Sequence, residues 1–281
     1  MKSNKVFLAT ALILIARALI ADDPPARETS PWQPYFRQIA SEYTMTLDRG
    51  KPRTLKLLDQ PIMKWSQPVR GGEDGSVFLW LDEKRPAVIA TIFTWPHPSR
   101  GIAVTHELHT LVDEPLKGVW KQRTWTPPDK SIGWKPVPDV PAPGESAKIR
   151  DLELRRVARG FAATSENREG QNWQLRLLPT PIYRYDSDTA DAVGSGALFG
   201  FVEGTDLEIV LLLEARATSD GPRWHYGLAR MSDLRLIVRR NEQSVWEVDF
   251  SPYDVLNVAY FNGTAEYRRE PPKIAAPDKP E

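Results

Sequence analysis

The stretch LKLLDQPIMKW (55–65) returns as LRLLPTPIYRY (175–185). The match continues downstream, where Gly75-Ser76-Val77-Phe78 aligns with Gly196-Ala197-Leu198-Phe199. The segments SVFLWLDEKRPAVIATIFT (76–94) and ALFGFVEGTDLEIVLLLEA (197–215) share one plan of strand, polar turn and strand. Short polar turns between β-rich runs are hairpin signals. VTHELHTLVD (104–113) then aligns with WHYGLARMSD (224–233), Leu108 falling on Leu228 and Asp113 on Asp233. Upstream, FRQIASEY (36–43) and LRRVARGF (154–161) share a helical spacing. It puts Phe36, Ile39, Ala40 and Tyr43 on one face, with Leu154, Val157, Ala158 and Phe161 as counterparts. A near-constant offset through a helix and several strands is what an internal duplication produces. The expected fold is therefore α+β and mostly antiparallel sheet: a helix plus about four strands, written twice and packed about a pseudo-twofold axis.

The boundaries follow from this reading. The first repeat spans 31–113 and the second 147–233, joined by a Pro/Trp-rich loop over 114–146 whose prolines exclude a regular helix or central strand. LRLIVRR (234–240) and SVWEVDF (244–250) read as an added hairpin within 234–268, and the Pro- and charge-rich 269–281 as a disordered tail. At the other end, Lys2 and Lys5 precede the apolar run VFLATALILI (6–15) and the small residues of ARALIA (16–21). That is the pattern of a Sec-type signal peptide over 1–21, too short for a permanent membrane span. An exported chain without cysteine has no disulfide framework and depends on its core. Basic and acidic side chains balance at 37 each, which leaves no overall basic footprint for nucleic acid or an anionic membrane. No second apolar run is long enough to cross a bilayer, so the mature chain is expected to be soluble, in the periplasm or secreted.

Chemistry has few places to sit. THELH (105–109) is not the helical HExxH signature: its histidines are three apart and the segment is β-patterned. On a strand, Glu107 and His109 share one face while His106 points the other way with Val104 and Leu108. Glu107 and His109, with His106 nearby, are the metal-ligand candidates, and zinc is the metal that such donors favour. The second copy has Tyr226, Gly227 and Ala229 at these positions, so the shared fold does not require the cluster. Glu214, in IVLLLEAR (209–216), lies in a run apolar on both faces and needs a partner, with Arg176, Arg184 and Arg230 available on neighbouring strands. GSGALFG (194–200) opens a strand rather than a helix and reads as a turn, not a phosphate cradle. Trp120, Trp125 and Trp134 either form a carbohydrate-stacking platform or anchor the long loop over a sheet.

At LRLLPTPIYRY, GALFGFVEGTDLEIVLLLEAR (196–216) and WHYGLARM (224–231) the chain resembles an uncharacterised family of exported proteins from planctomycete-type bacteria. The resemblance implies an envelope location and brings no activity or site residues. A second, shorter stretch, QPIMKWSQPVRGGEDGSVFLWLD (60–82), is similar to the early strands of LolA-like periplasmic lipoprotein carriers through Pro61, Trp65, Pro68, Asp74, Gly75 and Trp80. That likeness implies a half-barrel-like sheet with helices covering an acyl-chain cavity, by analogy of fold.

Three function classes result. The first is a non-enzymatic binding protein that encloses an apolar or lipid-like ligand, with Trp65, Trp80, Trp120, Trp125 and Trp134 as contact candidates. The second is a structural or interaction protein of the cell envelope, with another envelope protein as partner. The third is a metal-dependent hydrolase using His106, Glu107 and His109. No complete catalytic motif ranks the last above the others, and no cofactor is expected under the first two.

Overall fold

The computed structural model describes residues 30–67, 73–186 and 193–273. The signal-peptide pattern and most of the expected tail lie outside the described residues. Helix α1 (Gln33–Glu42) buries Tyr35, Phe36, Ile39 and Ala40, and α2 (Ala147–Ala158) buries Arg150, Leu154, Val157 and Ala158. Pro34 opens the first turn of α1, where its missing N–H costs nothing. The Ser146 side chain accepts from the Ile149 N–H at 3.3 Å and caps α2. Tyr43 and Phe161 fall just past the helices, in extended backbone.

Each helix leads into the same order of strands. After α1 come β1 (Thr44–Asp48), β2 (Pro52–Thr54), β3 (Lys56–Leu57), β4 (Met63–Gln67), β5 (Glu73–Asp82), β6 (Arg85–His97), β7 (Gly101–Thr110), β8 (Leu116–Trp120) and β9 (Arg123–Trp125). The short β10 (Lys135–Pro136) lies in the connection. After α2 come β11 (Phe161–Glu166), β12 (Asn172–Leu177), β13 (Tyr183–Tyr185), β14 (Gly196–Glu203), β15 (Asp206–Thr218), β16 (Gly221–Arg230), β17 (Arg235–Arg240) and β18 (Gln243–Val248), then β19 (Tyr260–Arg268). All pairings among the described strands are antiparallel.

In the second unit these strands form one half-barrel in the order β10-β16-β15-β14-β12-β11-β17-β18, with β13 also on β14. β12 holds it together, pairing Leu175 with Ala163 of β11 and Leu177 with Phe201 of β14. The first unit breaks this strand at Leu55, so the same path splits into β2-β1-β8-β9 and β19-β7-β6-β5-β3, with β4 on β5. Local details coincide as well. Trp65 pairs with Gly75 and Tyr185 with Gly196, and a Cβ on either glycine would overlap the aromatic side chain. Register shifts fall at Trp80/Leu81 and at Phe201/Val202.

Alternation along the strands sorts the side chains into three cores. Phe78, Trp80, Val88 and Ile92 face α1, and Phe199, Leu211, Leu213 and Trp224 face α2. The opposite faces pack on each other, Val77, Leu79 and Ile89 against Leu198, Val210 and Leu212. Central strands are thus buried on both sides, which is why they read as continuous apolar runs.

The hairpin expected as an addition, β17–β18, occupies in the second unit the place of β8–β9 in the first. β8 and β9 lie inside the segment read as a loop; its prolines spare residues 116–126 and begin again at Pro127. Pro136 is accommodated because β10 is an edge strand.

The segment downstream of each unit covers the other unit. β10 pairs with β16, and Lys135 Nζ reaches the Val245 carbonyl of β18 at 3.1 Å across the mouth of the second half-barrel. β19 pairs with β7 from Tyr260↔His109 to Arg268↔Ile102. The irregular segment before it accepts the Thr126 N–H at Leu256 and the Trp125 indole N–H at Val258, both at 2.9 Å. A chain cut between Gly144 and Glu145 is therefore expected to remain one particle in gel filtration. Separation of the pieces without denaturant would show that this exchange does not hold the units together.

Candidate functional site

The two faces of β7 carry the polar residues singled out in the sequence, and the pleat separates them as expected. His106 turns into the first unit's core, its Nδ1 2.8 Å from the Tyr43 hydroxyl and its ring edge-on to Trp120 at 4.7 Å. Burial, with Lys121 and Arg123 adding, pushes its pKa down to about 3, so the ring is neutral. Its Nε2 is buried with no hydrogen-bond partner.

Glu107 and His109 face the other way, towards the second unit. Tyr260, opposite His109 on β19, donates its hydroxyl to Glu107 at 2.6 Å. Arg230 of β16 lies 5.3 Å from the Tyr260 ring centre and donates to the carbonyls of Ser232, Leu234 and Asp249 at 2.5–2.8 Å. Burial, followed by the charges of Asp206 and Glu208, lifts the Glu107 carboxyl well above the ordinary range, against the pull of the Tyr260 hydrogen bond. His109 Nδ1 lies 2.6 Å from the Thr110 carbonyl, and burial pushes the ring down to about 4. Glu107 and His109 thus share a face without His106, and among the described residues no three metal-ligating side chains converge.

A second buried carboxylate sits elsewhere along the contact between units. Glu214 receives Arg85 Nε at 2.7 Å and Nη2 at 3.0 Å, with Arg216 and the Tyr185 hydroxyl each at 2.9 Å. The partners expected from neighbouring strands are engaged otherwise: Arg176 with the Gly204 carbonyl, Arg184 with Asp151, Arg230 with the carbonyls above. Arg85 comes from the first unit, 129 residues away, a pairing that strand adjacency within the second unit does not reveal.

The tryptophans are distributed over two cores. Trp80, Trp120 and Trp125 lie in the first unit's core, where Trp120 stacks on Tyr43 and donates to Glu42 at 3.0 Å. Trp65 lies over Gly75 in the core between the units. Trp134 packs against that same core, with the guanidinium groups of Arg216 and Arg85 at 4.7 and 6.0 Å from its ring centre. They form no single platform: Trp120 and Trp125 point inwards, and Trp134 anchors the connection.

Where β9 and β19 face each other without pairing, a cavity remains. Tyr43, His106, Trp120, Trp125 and Phe261 line it, with Arg123 at the rim paired to Asp254. Its volume is about 10 Å³, room for roughly one water molecule. Larger hollows of about 270 and 360 Å³ are open grooves lined largely by charged side chains, one beside α2 and one on the β1–β2 hairpin. No protein-family model matches the chain, and no curated protein or solved structure matches it. Among the described residues no helix is long and apolar enough to cross a membrane.

The titrating groups at this site give stability a pH dependence of definite sign. Glu107 binds its proton more tightly folded than unfolded, so its contribution is full in acid and is lost as pH rises above the ordinary carboxyl range. Glu107→Gln keeps an acceptor for Tyr260, and should be more stable than the parent near pH 8, the gain vanishing towards pH 4. For His106 and His109 the sign reverses: stability falls as pH drops below 6.5, towards about 3 and about 4 respectively. Urea unfolding of both proteins across this range tests the scheme, and a Glu107→Gln effect independent of pH would refute it.

Proposed function

We propose that the protein is an exported, non-enzymatic interaction scaffold whose working parts lie on its outer surface. Export rests on the basic, apolar and small-residue pattern of 1–21. The scaffold reading rests on one observation: the interior of each unit is filled by its own helix and aromatic side chains. The residual cavity of about 10 Å³ is far below the several hundred Å³ of a typical ligand pocket. The polar groups of the interior support the same reading, since Glu107 is held by Tyr260, His109 by Thr110 and Glu214 by Arg85, Arg216 and Tyr185.

A second reading, a small ligand at the seam between β9 and β19, is favoured by the buried, unpartnered Nε2 of His106. A lipid-like occupant there requires the seam to open, with Arg123 released from Asp254.

Native mass spectrometry of protein purified without added ligand or chelator separates these readings. The expected result is the bare covalent mass. A lipid-sized adduct would overturn the scaffold in favour of a carrier. A stoichiometric metal adduct, lost in His109→Ala, would do so in favour of a metal-dependent role.

A further inference from the structure

We propose that the outer face of α2 docks the protein onto an anionic lipid surface; this rests on the scaffold reading and names its partner. The helix is amphipathic in an unusual sense. Its inner arc buries Leu154, Val157 and Ala158 together with Arg150, whose guanidinium donates to the carbonyls of Gly144 and Glu145 and to Asp186. Its outer arc holds Lys148, Ile149, Leu152, Arg156 and Arg159, all exposed, at the i, i+3, i+4 and i+7 spacings that place them side by side. Ile149 and Leu152 are 48% and 61% exposed, and are the two aliphatic members of the four exposed large apolar side chains among the described residues, the others being Tyr253 and Tyr267.

Charge gathers at the same place. Phe161 and Ala162, just beyond α2, pair with Arg240 and Arg239, and the Asn241 N–H donates to the Gly160 carbonyl. Residues 147–160 and 239–242 carry seven basic side chains and three acidic ones; Arg150 is buried against Asp186, and Lys148, Arg156 and Arg159 remain as the outward cations of the helix, in a chain whose net charge is zero. Asp151 is consumed by Arg155 and Arg184. The neutrality of the whole chain conceals a basic pole.

The first unit supplies the comparison. α1 occupies the matching place but exposes Pro34, Arg37, Gln38, Ser41 and Glu42, with no large apolar residue and balanced charge. The fold therefore does not require the outer face that α2 has. Cations alone suit any polyanion. Two aliphatic side chains at the centre of the basic arc suit a lipid interface, which accepts aliphatic groups between headgroups that attract arginine and lysine.

The test is co-sedimentation of the purified, soluble protein with vesicles of phosphatidylcholine, alone or mixed with phosphatidylglycerol. Binding is expected only to the mixed vesicles and should weaken about tenfold at high salt. Arg156→Glu/Arg159→Glu should abolish it, and Leu152→Gln should weaken it about tenfold. Gln38→Glu/Ser41→Glu on α1 should leave it unchanged. Unchanged thermal unfolding shows that the surface variants are folded. Equal binding to both vesicle types, or to neither, overturns the proposal. So does binding to heparin or polyglutamate that is insensitive to Leu152→Gln, which would point to a soluble polyanion or acidic protein. None of these failures touches the scaffold reading, which falls only if the native mass carries an adduct.

Discussion

A half-barrel built from a helix and a run of antiparallel strands ends in edges that its own chain does not cover. An open edge exposes unpaired N–H and carbonyl groups and invites pairing with other chains. Here each unit leaves the same strand open, β7 in the first and β16 in the second, and the segment downstream of the opposite unit covers it. Much else depends on this reciprocal cover. It sets the two sheets face to face, and so obliges the central strands to be apolar on both sides. It also brings Tyr260 over Glu107, and it carries Trp134 to the arginines beside Glu214.

Charge inside such a contact survives only where several groups converge on it. At Glu214 two guanidinium groups and a phenol meet on one carboxyl, the situation in which removing one partner costs most. Glu107 takes the other solution: facing one phenol and the field of further acidic groups, its carboxyl is pushed well above the ordinary range. One buried acid is met by cations and the other is not: Arg85 arrives at Glu214, whereas burial and then the charges of Asp206 and Glu208 act on Glu107.

Much of this was legible in the residues. The helices, the long hairpins and the facing of His106 against Glu107 and His109 follow from periodicity and from comparing 55–113 with 175–233. Arg85 as the partner of Glu214, and β19 as the cover of β7, were not legible, because both join residues more than a hundred positions apart through the contact between units. The tryptophans show the same limit. Composition marks Trp65, Trp80, Trp120, Trp125 and Trp134 as conspicuous without telling which core each fills. The 114–146 segment misleads for a local reason: its prolines cluster after Trp125, leaving β8 and β9 free to pair.

The correspondence between the units turns their differences into evidence. Where both share a feature, such as an aromatic ring over a strand glycine or a register shift after the same strand position, the fold accounts for it. Where they diverge, the fold does not. The Glu107–His109 pair diverges, but inwards, where the second unit has Gly227 and Ala229 and the contact is simply filled differently. The helices diverge outwards, on surface that packing leaves unconstrained. Apolar side chains kept in water amid concentrated positive charge are unfavourable for an isolated molecule on both counts. A partner with aliphatic and anionic character would relieve both, so the asymmetry of α2, which packing leaves open, is the divergence between the units that a surface role can use.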